Sequence, residues 1–198
     1  MHLITNLGDI AVLLPASLGL IAYLAWIGRR RDAAAYVAAL AVCLTAALFA
    51  KLALAACGGD HAVFDVESPS GHAAVAATFY GCVASLLATG RATGWRLALY
   101  AGASALVLSI GASRVALEAH TVPEIVIGVL IGVMSIALFN ALRVATEPLE
   151  LSSQTVVRMS PFAVLYALCL LLLAGHWTAE PFIDAIAARL GANMHLCR

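Results

Sequence analysis

Residues 123–142 read P-E-I-V-I-G-V-L-I-G-V-M-S-I-A-L-F-N-A-L, and after Glu124 no charged side chain interrupts the run before Arg143. A helix over this stretch rises about 30 Å, the thickness of a bilayer's hydrocarbon core. The stretch therefore reads as a membrane span. Working outward, further apolar blocks occur at about 10–28, 34–56, 73–90, 95–112 and 161–175. The chain of 198 residues is 63% hydrophobic and 11% charged, too little charge to cover a soluble domain of this length. In lipid the backbone must satisfy its own hydrogen bonds, which helices do locally. The alternation of a membrane barrel strand is absent. The expected fold is an all-α integral membrane protein, a six-transmembrane helix bundle forming one domain over residues 1–198. Alanine and glycine recur in every span, as close helix packing in lipid requires.

Other features narrow the function. The first segment lacks the basic start and the cleavage site of a signal peptide. The five cysteines, Cys43, Cys57, Cys82, Cys169 and Cys197, form no C-x-x-C pair, so zinc and thiol-redox chemistry are poorly supported. They read as small apolar fillers, with a Cys57–Cys197 bridge open only if both face an oxidising side. Formal net charge is zero, which offers nucleic acid no basic footprint. No charge array or pair of broken helices marks a transporter. The basic residues Arg29, Arg30, Arg31, Arg91, Arg96, Arg143 and Arg158 fall in the loops after spans one, three and five. That side is expected to be cytoplasmic, with the N-terminus, loops 57–72 and 113–122 and a tail at about 176–198 outside. Within the tail, P-F-I-D-A-I-A-A-R-L from Pro181 to Leu190 reads equally as an interfacial helix or a packing cap.

Two loops on the outer side carry chemistry-bearing residues. Residues 68–72 read S-P-S-G-H. Pro69 stops a preceding helix and Ser70 is a good N-cap. Gly71 lets a ligand approach the backbone, and a helix N-terminus suits an anion such as phosphate. His72 then stands in the first turn. The same residues also make an ordinary capped helix with an interfacial histidine. Residues 113–124 read S-R-V-A-L-E-A-H-T-V-P-E. Arg114 has the planar fork that suits phosphate oxygens, or it snorkels to the headgroups. Glu124 lies four residues after His120, where its carboxylate can fix the imidazole's tautomer. Thr121 to Glu124 also fits a capping box. His120 and Glu124 have the spacing of a metal pair, but no comparable third ligand accompanies them. Lys51, the one lysine in the chain, lies near the outer end of span two, either snorkelling or reaching toward a phosphate.

In this order the three elements resemble the type 2 phosphatidic acid phosphatase superfamily, whose members carry K-x-x-x-x-x-x-R-P, P-S-G-H and S-R-x-x-x-x-x-H-x-x-x-D. Pro69-Ser70-Gly71-His72 matches the second motif completely. Ser113-Arg114 and His120 match the third. The resemblance covers roughly residues 51–124. It departs at two places: the arginine and proline of the first motif are Gly58 and Gly59, and the final aspartate is Glu124.

The resemblance implies an enzyme without metal or cofactor. His120 would be the nucleophile that forms a phosphohistidine, Glu124 its orienting carboxylate, and His72 the general acid. Lys51, Arg114 and the backbone at Ser70 and Gly71 would hold the phosphoryl oxygens. The implied substrate is a membrane lipid phosphate: undecaprenyl pyrophosphate, phosphatidic acid or phosphatidylglycerol phosphate. An outward-facing site in a bacterial inner membrane favours the first slightly. The missing arginine motivates two alternatives, a lipid phosphotransferase using the same site and a catalytically weak protein that binds lipid phosphate.

Overall fold

The computed structural model describes residues 2–57, 66 and 68–143. Their regular structure is helical throughout: α1 (His2–Asn6), α2 (Ile10–Trp26), α3 (Arg30–Cys57), α4 (Gly71–Ala88), α5 (Thr93–Ala116) and α6 (Val122–Leu142). Four of these, α3 to α6, are long and apolar enough to cross a membrane, the pattern of a multi-pass membrane protein. The first expected span, α2, is apolar but has only 17 residues. The sixth expected span and the 176–198 tail lie outside the described residues, as do Arg158, Gly58, Gly59 and Cys197.

Helix boundaries differ from the sequence expectation where polar residues continue a helix past its apolar block. Arg30 and Arg31 open α3 instead of lying in a loop. Asp32, in the same first turn, accepts from Arg29 Nε at 2.6 Å, and a carboxylate there suits the positive end of the helix. At the other end of the chain's order, α5 runs on to Ala116, which places Arg114 in its last turn and not in a loop. Helix α1 carries too little pattern to be foreseen.

Short connections make α2 and α3, and α4 and α5, antiparallel neighbours, whereas α6 packs on α4 and α3. Helix α4 is the central element, with 61% of its span buried against 22% for each of the other three. Its small side chains explain how. Ala73, Ala74, Ala76, Ala77 and Ala84 are buried, and helix α6 meets them with Gly128 and Gly132. A Cβ on Gly128 would overlap the Ser70 carbonyl oxygen and lie 3.2 Å from the Ala73 Cβ. A Cβ on Gly132 would overlap the Ala77 Cβ and lie 2.8 Å from the Ala74 carbonyl oxygen. The two backbones thus touch along a small-residue seam, the means by which helices associate where lipid offers no hydrophobic drive.

Both ends of this pair are fastened, so α4 and α6 run parallel. At one end Ser70 N–H donates to the Glu124 carbonyl at 3.1 Å. At the other, Arg143 donates to the Ser85 carbonyl at 2.9 Å and to Thr89 Oγ1 at 2.5 Å, and its guanidinium lies over the Phe139 ring at 5.4 Å. Burial pushes the Arg143 guanidinium below its ordinary value, and the nearby Asp32 charge opposes that shift. Arg29, Arg91 and Arg143 therefore share the end of the bundle away from Ser70 and Glu124. Cys43 and Cys82 are buried free thiols that fill the core between α3 and α4.

Candidate active site

The site is built where two helices begin. Ser70 is the N-cap of α4, its Oγ accepting from Ala73 N–H at 3.4 Å. Thr121 is the N-cap of α6, with Pro123 in the first turn. Because α4 and α6 are parallel and nearly in contact, both N-termini face the same end of the bundle, and their aligned peptide dipoles give that end a positive field.

Glu124 joins the two motifs. Its Oε2 lies 2.9 Å from His120 Nδ1 and accepts from Thr121 N–H at 3.0 Å. Its Oε1 accepts from Ser68 N–H at 2.8 Å. The capping reading of Glu124 and the histidine-orienting reading are thus both true of one carboxylate. The side chains of His120 and Glu124 are only 6% and 5% exposed, so the interaction is little weakened by water. A carboxylate on Nδ1 fixes the ring so that Nε2 is the nitrogen turned away from it. Among the described residues, no third His, Cys, Asp or Glu joins this pair in a group able to hold a metal ion.

The approach to His120 is shaped by the end of α5. Ala119 N–H donates to the Arg114 carbonyl at 3.0 Å and Glu118 N–H to the Val115 carbonyl at 2.9 Å. These are the two bonds of a Schellman cap. Its left-handed position is Glu118, at φ 54°, where glycine is the usual occupant. The same cap ends α2 with Gly28 at φ 82° and Arg29 N–H on the Leu24 carbonyl at 2.8 Å. The cap fixes the path from Arg114, whose Nε is buried, to His120.

The remaining predicted residues stand at the same end. His72 occupies the first turn of α4. Gly71 opens that helix, and a Cβ there would meet no atom of the described residues within 4 Å, so their packing does not demand glycine. Lys51 lies in the second-last turn of α3, partly exposed. The start of α3 lies beside the end of α6, where Tyr36 meets Phe139, so the C-terminal part of α3 that carries Lys51 runs toward this end. Two residues escaped the sequence reading. Ser68 contributes its backbone N–H, and Asp9 lies with Oδ2 3.9 Å from His72 Nε2. Asp9 caps α2, which was the only local signal it carried.

A profile of the PAP2 superfamily matches residues 53–147, which hold the second and third motifs and every helix contact just described between them. The chain is also 31% identical over 151 residues to an "Uncharacterized 22.5 kDa protein in cps region" of Klebsiella pneumoniae, covering 75% of this chain and 72% of that protein. The chain carries a PAP2 superfamily domain. That domain implies phosphatase-type chemistry on phosphate esters. No solved structure matches the chain. Lys51 and Asp9 both precede the matched PAP2 segment, and Glu124 falls within it.

Proposed function

We propose that the protein is a metal-independent lipid phosphatase working through a phosphohistidine on His120. The observation that carries this reading is the Glu124 carboxylate, which grips His120 Nδ1 at 2.9 Å and the S-P-S-G-H turn at 2.8 Å. In the first step His120 Nε2 attacks phosphorus, and the bond to the leaving oxygen breaks. His72 gives that oxygen its proton, and Glu124 stabilises the imidazolium of His120. In the second step a water attacks the phosphohistidine, His72 takes the water's proton, and inorganic phosphate leaves. Substrate and water are consumed, and inorganic phosphate is formed together with an alcohol from a monoester or a lipid monophosphate from a pyrophosphate. Phosphoryl transfer needs mostly positioning and charge stabilisation. Arg114, Lys51 and the backbone N–H groups of Gly71 and His72 supply it. Ser70 N–H is engaged with the Glu124 carbonyl, so Ser70 serves by capping α4 and placing the turn. The open space before Gly71 supports a ligand approaching the backbone there.

The substrate we infer is a membrane lipid phosphate, because the site lies at the ends of spanning helices, at the depth of headgroups. The bundle end rich in Arg29, Arg91 and Arg143 faces the cytoplasm under the positive-inside rule. The site then faces the outer side of an inner membrane, and a six-span bundle completed by 161–175 fits that orientation. Undecaprenyl pyrophosphate, phosphatidic acid and phosphatidylglycerol phosphate are the candidate lipids. Phosphate release from each, by purified protein in detergent with EDTA, tests the reading beside His120→Ala and His72→Ala. Both variants are expected to lose release. Undiminished release by both would refute the assignment.

A further inference from the structure

The corner between α1 and α2 lies far from the motifs in sequence, yet it is clamped onto the helices that carry them. Thr5 Oγ1 is 2.6 Å from Ser113 Oγ, the residue next to Arg114. Tyr80 Oη donates to the Leu7 carbonyl at 2.9 Å. A Cβ on Gly8 would lie 2.5 Å from Ile110 Cγ2, so α5 reaches this backbone closely. These contacts fix Asp9, whose two oxygens face different partners. Oδ1 accepts from Ala11 N–H at 2.9 Å and caps α2. Oδ2 lies 3.9 Å from His72 Nε2, with both side chains shielded at 11% and 16% exposure.

Resting on the phosphatase reading above, we propose that Asp9 is a positioning residue for His72, its charge keeping the imidazole protonated for its part as general acid. At 3.9 Å the two are too far apart for a hydrogen bond, so Asp9 acts as a neighbouring charge and no proton passes to it. The charge of Asp9 acts among the other titratable groups at this end of the helices packed on α4. Among the described residues, the other charged side chains there are Lys51 on α3, Arg114 and Glu118 on or just after α5, and Glu124 on α6. Glu124 is engaged with His120, His120 itself becomes cationic, and Glu118 is exposed on the α5 cap. Tyr80, on α4 itself, is neutral. Among these described residues, Asp9 places a carboxylate oxygen within 4 Å of the His72 ring, at 3.9 Å. It lies before residues 53–147, the segment matched to the PAP2 superfamily.

The variant Asp9→Asn separates charge from capping, because asparagine caps a helix as well as aspartate does. A general acid works below its pKa. A nearby carboxylate raises that value, so its removal lowers it. For the full-length protein in detergent, the alkaline limb of kcat/KM on a short-chain phosphatidate is expected to move down by about one pH unit in Asp9→Asn. Asp9→Glu is expected to restore it. For a nitrophenyl phosphate, whose leaving group needs no proton, kcat/KM, which reads only the steps up to phosphoenzyme formation, is expected to keep its wild-type value. A limb that stays in place in Asp9→Asn, or an equal loss on both substrates, would overturn the proposal. If the wild-type protein releases no phosphate, the phosphatase reading fails by itself. An NMR titration of His72 then decides the Asp9 proposal without turnover: a drop of about one unit in Asp9→Asn supports it, and an unchanged titration overturns it.

Discussion

Replacing Glu124 by glutamine changes one oxygen to an amide nitrogen, and three donors expose the change. The carboxylate accepts from Ser68 N–H on Oε1, and from Thr121 N–H on Oε2, which also holds His120 Nδ1. Glutamine has one acceptor atom. With its oxygen toward His120, its NH2 faces the Ser68 N–H, donor against donor. With its oxygen toward Ser68, its NH2 faces both the Thr121 N–H and His120 Nδ1. The imidazole can then accept only by moving its proton to Nε2, which removes the nucleophilic lone pair. Either arrangement leaves a part-buried N–H without its acceptor, at about 1 kcal/mol of stability, the low end of the cost for a buried group. Loss of the orienting charge is expected to lower kcat/KM by roughly 100- to 10,000-fold, the range of a misassigned acid–base group. Thermal unfolding in detergent and phosphate release on the same preparation separate the two effects. A variant that is less stable but equally active would refute the reasoning, because Glu124 would then be a helix cap and nothing more.

Three further outcomes test neighbouring parts of the account. Gly71→Ala meets no steric obstacle and gains up to about 1 kcal/mol of helix propensity. It is expected to hold or raise stability while weakening phosphate release, and an alanine variant at full activity would show that no ligand approaches that backbone. Gly128→Val would overlap the Ser70 carbonyl and is expected to cost about 1–3 kcal/mol, with near-complete loss of release. A valine variant with wild-type melting and activity would contradict the close approach of α4 and α6. Glu118→Gly relieves a left-handed residue at φ 54° and is expected to stabilise the protein by about 1 kcal/mol, since glycine carries no Cβ penalty there. A fall in the melting temperature would count against the Schellman cap.

Much of the architecture can be read from the chain because membrane spans are long and their apolar content is nearly continuous. The run 123–142 corresponds closely to α6 and the run 73–90 to α4. Boundaries are less legible. Helix α5 outlasts its apolar block by a turn because its end is set by a cap with Glu118 at the glycine position, so no glycine or asparagine announces the stop. The site motifs are visible as residue types, but their connection is not. Ser68 and Glu124 are 56 residues apart, and only the seam of Gly128 and Gly132 against the alanines of α4 brings them together. The departure at Glu124 also gains a physical sense. Its carboxylate serves His120, Thr121 and Ser68 at once, a reach that neither the capping box nor the histidine spacing reveals alone. Asp9 was hidden for a different reason: a five-residue helix and a capping aspartate leave no periodic signal, and its partner is set wholly by tertiary packing.

The central claim is that His120 carries the phosphoryl group. The most direct measurement is covalent labelling: mix the detergent-purified protein with a lipid phosphate bearing radioactive phosphorus, quench rapidly in base, and locate the label by peptide mapping. The account predicts an acid-labile, base-stable label on the peptide containing His120. It should be absent from His120→Ala and lost on acid treatment. Rapid phosphate release by wild-type protein with no label on His120, or with equal labelling in His120→Ala, would contradict the account.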